Sequence, residues 1–119
     1  MNITEIRIGR NIGNVPMPAV DWQRFIDEAR TDLVDFAKDI QAENYWTEVH
    51  TGTGTFEGIS EDSAIITLYW DNGNPTPARV EHAHNQLTDH LIWLAAWYHQ
   101  KAVAAVHGTS TLVSAEVSA

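Results

Sequence analysis

The spacing of apolar residues changes period along this chain, and that change limits the folds open to it. Between residues 22 and 40, Trp22, Phe25, Ile26, Ala29, Leu33, Phe36, Ala37 and Ile40 recur at intervals of three and four, which predicts a helix with one buried stripe. Asp21 stands where an N-cap carboxylate would. On either side of the helix the interval drops to two. Ile6 and Ile8 alternate with Glu5 and Arg7. Further on, Ile65, Thr67 and Tyr69 alternate with Ala64, Ile66, Leu68 and Trp70, apolar on both faces as a central strand is. Tyr45 to Ile59 is rich in Thr, Val and aromatics and predicts another strand, with Gly52 and Gly54 marking a bulge, a bend or a close backbone approach. Ser60-Glu61-Asp62 is expected to turn the chain, with Glu61 and Asp62 facing water. Helical spacing returns at Val80, Ala83, Leu87, Leu91, Leu94, Ala95 and Tyr98, opened by Thr76 as a capping hydroxyl and by Pro77. Thr109 to Val117 predicts a last strand, and the junction from 99 to 108 fits helix or strand.

Strand, helix, strand, strand, helix, strand is the order of an α+β, ferredoxin-like β-α-β-β-α-β fold, with two helices on one face of an antiparallel sheet. With 119 residues, no internal repeat and no linker, one domain over 1–119 is expected.

The second helix carries a further constraint. Its carboxy-terminal half, Leu91 to Tyr98, is apolar around the whole circumference, and Trp93 and Trp97 point away from Val80, Leu87 and Leu91. In a ferredoxin-like monomer that outer side meets water, an exposed patch larger than scattered hydrophobes explain. Ile92, Trp93, Ala96 and Trp97 are therefore the expected interface of a homodimer or higher homo-oligomer.

Charge narrows the other partners. Seven Lys and Arg stand against sixteen Asp and Glu, a formal net charge of −9. The basic residues are scattered, so no phosphate backbone is favoured and nucleic acid is not an expected partner. The longest wholly apolar run is eight residues, Leu91 to Tyr98, too short for a bilayer, and no membrane role is expected. Met1-Asn2-Ile3-Thr4-Glu5 lacks the pattern of a secretory leader, which makes the cytoplasm the expected location. With no cysteine, thiolate metal sites, iron–sulfur clusters and thiol nucleophiles drop out.

Six histidines invite a metal reading that their spacing resists. His82 and His84 diverge by about 200° on a helix, and His82 and His90 lie roughly 12 Å apart along it. Gly9-x-x-x-Gly13 lacks the Lys-Ser/Thr pair of a phosphate loop. No metal and no cofactor are expected. Four residues are candidates for a small-molecule pocket between sheet and helices. They are Arg10, as an anion-binding guanidinium, Glu57 in the hairpin, Tyr69 on the return strand and His84 on the core side of the second helix.

Several short motifs follow one another in a recognisable order: a strand ending Gly9-Arg10, loop glycine Gly13, a helix opening on Trp22 with Phe25, Glu61 with Ser63, and Gln100 with Val103. Together they resemble a small group of uncharacterised bacterial proteins with a ferredoxin-like core. The chain departs from that group in its tryptophan-rich second helix. The group has no known activity, so the resemblance implies a fold and not a reaction. The apolar interface helix, without a convincing reactive cluster, makes the expected role non-enzymatic, a small homo-oligomeric protein acting in binding or assembly. The alternative is a small-molecule enzyme or ligand-binding protein using a pocket between sheet and helices.

Overall fold

The computed structural model describes residues 2–56, 58–71 and 76–100. Strand β1 (Asn2–Gly9) leads into a small hairpin of β2 (Asn11–Ile12) and β3 (Val15–Pro16). Helix α1 (Ala19–Asp39), strands β4 (Asn44–Phe56) and β5 (Ile59–Asp71), and helix α2 (Pro77–Trp97) follow. β5 lies between β1 and β4 and is antiparallel to both. The fold is the expected α+β, ferredoxin-like one, with both helices on one face of the sheet. The strand expected over Thr109 to Val117 lies outside the described residues.

Side-chain alternation sorts the two faces of the sheet. Ile6, Ile8, Ala64, Ile66, Leu68 and Trp70 are buried in the core that the helices cover. Arg7, Trp46, Glu48, His50 and Tyr69 stand on the opposite face. On α1 the predicted stripe from Trp22 to Ala37 is the buried one. Phe25 stacks on Tyr98 with ring centroids 4.9 Å apart, and Phe36 meets Trp70 edge-on at 6.3 Å. Helix–helix and helix–sheet contacts thus share one core, in which each large side chain contributes about 1.5–3 kcal/mol. The Trp70 Nε1–H donates to Thr4 Oγ1 at 3.1 Å, so the buried indole keeps a partner.

The helices run antiparallel: Tyr98 at the end of α2 reaches Glu28 of α1, and Arg79 at its start reaches the Asp39 carbonyl. Thr76 caps α2 as expected, its Oγ1 accepting from the Arg79 N–H at 3.2 Å, with Pro77 opening the helix. Both helices end alike. Gln41 (φ 58°) and His99 (φ 57°) adopt the left-handed conformation. The Ala42 N–H then reaches the Ala37 carbonyl at 3.0 Å, and the Gln100 N–H reaches Ala95 at 2.7 Å. These are Schellman stops built without glycine, and the second ends α2 before the 99–108 junction begins.

Three local expectations give way. α1 starts at Ala19 after Pro18, so Asp21 lies in the first turn rather than at the cap. Gly52 and Gly54 pair with Ser63 and Glu61 in unbroken register and mark no bulge. The hairpin turns between Phe56 and Ile59, ahead of Ser60-Glu61-Asp62, because Gly58 (φ 78°) supplies the left-handed turn residue. Ser60, Glu61 and Asp62 are therefore strand residues.

Candidate functional site

Where β1 runs out, parts of the chain far apart in sequence meet. The Arg10 N–H donates to the Asp62 carbonyl at 3.0 Å, continuing the β1–β5 pairing past Gly9. The Arg10 guanidinium is committed to the Met17 carbonyl and the Asp62 carboxylate, both at 2.9 Å. Next to it, the Asn11 N–H donates to Glu61 Oε2 at 2.7 Å and the Asn11 side chain donates to the Ser60 carbonyl at 3.1 Å. The Asn11 carbonyl in turn accepts from the Gln100 amide, which the His99 turn brings inward.

Glu61 is the centre of this node. It is only 8% exposed, and a short, charge-assisted bond from the backbone fixes its carboxylate. Gly9 makes the arrangement possible. A Cβ at that position would lie 2.5 Å from Glu61 Oε1, so any side chain would push the carboxylate out of place. Gln100 is buried as well, and its Oε1 has no hydrogen-bond partner among the described residues. The node thus holds a buried carboxylate and an open amide acceptor beside the Arg10 guanidinium, whose charge the Asp62 carboxylate meets.

Of the four candidates for a pocket, only Arg10 lies at this node. Tyr69 pairs with Ile3 while Ser63 pairs with Gly9, which puts Tyr69 about 20 Å along the strands. There it stacks on Trp46 at 5.1 Å and donates to Glu48 Oε2 at 3.3 Å. Burial and the Glu48 carboxylate raise its hydroxyl pKa. His84 is half-buried on α2, its carbonyl accepting from Thr88 Oγ1 at 2.9 Å. Glu57 lies outside the described residues. Among the described residues, no three His, Asp or Glu side chains come together to hold a metal ion, and no helix is long and apolar enough to cross a membrane.

The outer side of α2 is disposed as its helical projection predicts. Ile92 is 52% exposed, Trp93 70% and Trp97 69%, Ala96 is exposed beside them, and the two indoles stack at 6.2 Å.

Glu61, Asn11 and Gln100 escaped the sequence reading as a site, although Glu61 and Gln100 had stood out as motif residues. The signal that could have found Glu61 is Gly58, a better turn residue than any in Ser60-Glu61-Asp62. Moving the turn there places Glu61 in a strand opposite the end of β1.

The chain is thus a ferredoxin-like α+β protein with a buried carboxylate at the end of its sheet. No family model matches it, and neither does any curated protein. Solved structures similar to it include two of a phage enzyme. One is a phage SAM lyase in complex with S-methyl-5'-thioadenosine, 13% identical, covering 93% of this chain and 85% of that one, with a TM-score of 0.54. The other is a phage SAM lyase in the apo state, 14% identical, covering 96% and 89%, with a TM-score of 0.51. These matches show a shared fold, and they correct two expectations. The architecture is similar to that of a named enzyme rather than pointing to a group without known activity. The non-enzymatic assembly role, which leaned on an apolar interface helix without a reactive cluster, is withdrawn in favour of its small-molecule alternative.

Proposed function

We propose that this chain is an enzyme acting on a small organic cation at the Glu61 node, with S-adenosylmethionine as substrate and carbon–sulfur cleavage as the reaction. The observation that carries this reading is the buried Glu61 carboxylate, fixed by the Asn11 N–H at 2.7 Å, in a fold similar to two SAM lyase structures. Releasing S-methyl-5'-thioadenosine breaks the bond between sulfur and the aminobutyrate chain. The bonding pair stays on sulfur, which departs as a neutral thioether and needs no acid. A lyase does this without water, so the carbon's new bond comes from within the substrate. What remains for the protein is to hold the aminobutyrate arm in one reactive conformation.

Glu61 is suited to accept from the substrate's ammonium group, and Gln100 Oε1 offers an acceptor to a second N–H such as the adenine amine. The net charge of −9 favours encounter with a cation. The test is chromatography of S-adenosylmethionine incubated with the protein. Release of S-methyl-5'-thioadenosine well above the spontaneous rate is expected, falling by about 100-fold or more in Glu61→Gln. A wild-type rate equal to the spontaneous one, with no binding of substrate or product at about 1 mM, would overturn the reading.

A further inference from the structure

A cleft lies between the helices, away from the Glu61 node. Its volume is about 360 Å³, at the small end of the range for ligand pockets. Glu28, Thr31 and Asp32 of α1 face His90, Trp93 and Leu94 of α2, an i, i+3, i+4 triplet from each helix. One wall is acidic and the other is the exposed indole of Trp93, extended by its stack on Trp97. Tyr98 Oη donates to Glu28 Oε2 at 3.0 Å and steadies that carboxylate at the rim.

We propose that this cleft binds a small organic cation with an apolar body, such as a quaternary ammonium, between the Trp93 indole and the Glu28 and Asp32 carboxylates. Charge complementarity selects the occupant. An indole face and a carboxylate both attract a weakly hydrated cation, and among the described residues no lysine or arginine lines the cleft to compete. A second copy of the chain would bring another net charge of −9 against the same carboxylates. Acid opposes binding at the acidic wall. Burial raises the Asp32 pKa to about 6, with the His90 charge lowering it and Asp35 and Glu28 raising it. On acidification Asp32 loses its negative charge and with it part of its hold on the ligand.

The experiment titrates the full-length, isotopically labelled chain with choline and with 3,3-dimethylbutan-1-ol, in which carbon replaces the cationic nitrogen. The readout is the indole N–H signals of Trp93 and Trp97, assigned with Trp93→Phe and Trp97→Phe. Choline is expected to shift the Trp93 signal saturably, with about tenfold or greater preference over the neutral isostere. Its affinity should fall severalfold from pH 7.5 to pH 5, and Asp32→Asn should weaken binding at the higher pH and flatten the profile. Equal response to the isostere, or no shift at about 50 mM choline, overturns the proposal. So does a sedimentation result in which copies associate and cover both indoles.

Discussion

Glu61 and Asp32 are both carboxyl groups drawn away from water, and the chain handles them in opposite ways. Glu61 sits at the end of the sheet, where a backbone N–H reaches it at 2.7 Å and a glycine makes room for it. Asp32 sits between the helices in an open cleft, where burial raises its pKa to about 6 and His90 offsets part of that rise. The first group is locked in one position by parts of the chain 50 residues apart in sequence. The second is placed by helical spacing alone. Locked geometry suits chemistry that depends on orientation, whereas an open, titrating carboxyl suits exchange with solvent and reversible binding.

The largest effect that separates the two regions is expected from Gly9→Ala. The new methyl must displace the Glu61 carboxylate, so cleavage of S-adenosylmethionine should fall by about tenfold or more, and denaturant melts should show a loss of about 1–3 kcal/mol. Gly52→Ala is the control, because no atom lies within 4 Å of a Cβ there, and it should leave activity intact. If the two variants behave alike, Glu61 is not held as described.

Asp32→Asn probes the other carboxyl. Its folded pKa, about 6, lies above the ordinary 3.8, so the folded chain retains a proton that the unfolded chain releases. Its stabilising contribution is present below about pH 4 and is lost as pH rises through about 6. The asparagine variant should therefore gain up to about 1 kcal/mol at pH 7, allowing for solvent screening, and nothing at pH 4. Thermal melts at the two pH values decide it, and cleavage activity should not change. The smallest effect belongs to the stop of α2. His99→Gly relieves a left-handed residue at φ 57° and should stabilise the chain by about 0.5–1 kcal/mol while leaving Gln100 in place. A stability loss there would mean that the His99 side chain makes contacts that outweigh the strain.

The difference between the regions also explains what was legible in the amino-acid order. The α1 stripe, the Thr76-Pro77 start of α2 and the outward Trp93 and Trp97 are consequences of spacing within one helix. Periodicity exposes them directly. The Glu61 node depends on a register. Gly9 meets Glu61 only because the hairpin turns at Gly58, and a one-residue slip would send the carboxylate to the other face. Gln100 arrives there through a positive φ at His99, which the spacing of apolar residues along α2 does not announce. Arg10 was legible as a functional candidate by its place at the strand end, but not the Asp62 carboxylate that engages it.

The most direct measurement is a titration of the labelled chain with S-adenosylhomocysteine, which keeps the ammonium-bearing arm on a neutral sulfur, following backbone amide signals in proton–nitrogen spectra. The account predicts saturable shifts concentrated at residues 9–11, 60–62 and 100, abolished in Glu61→Gln while the rest of the spectrum stays folded. Shifts that spare those residues, or that persist unchanged in the variant, would contradict it.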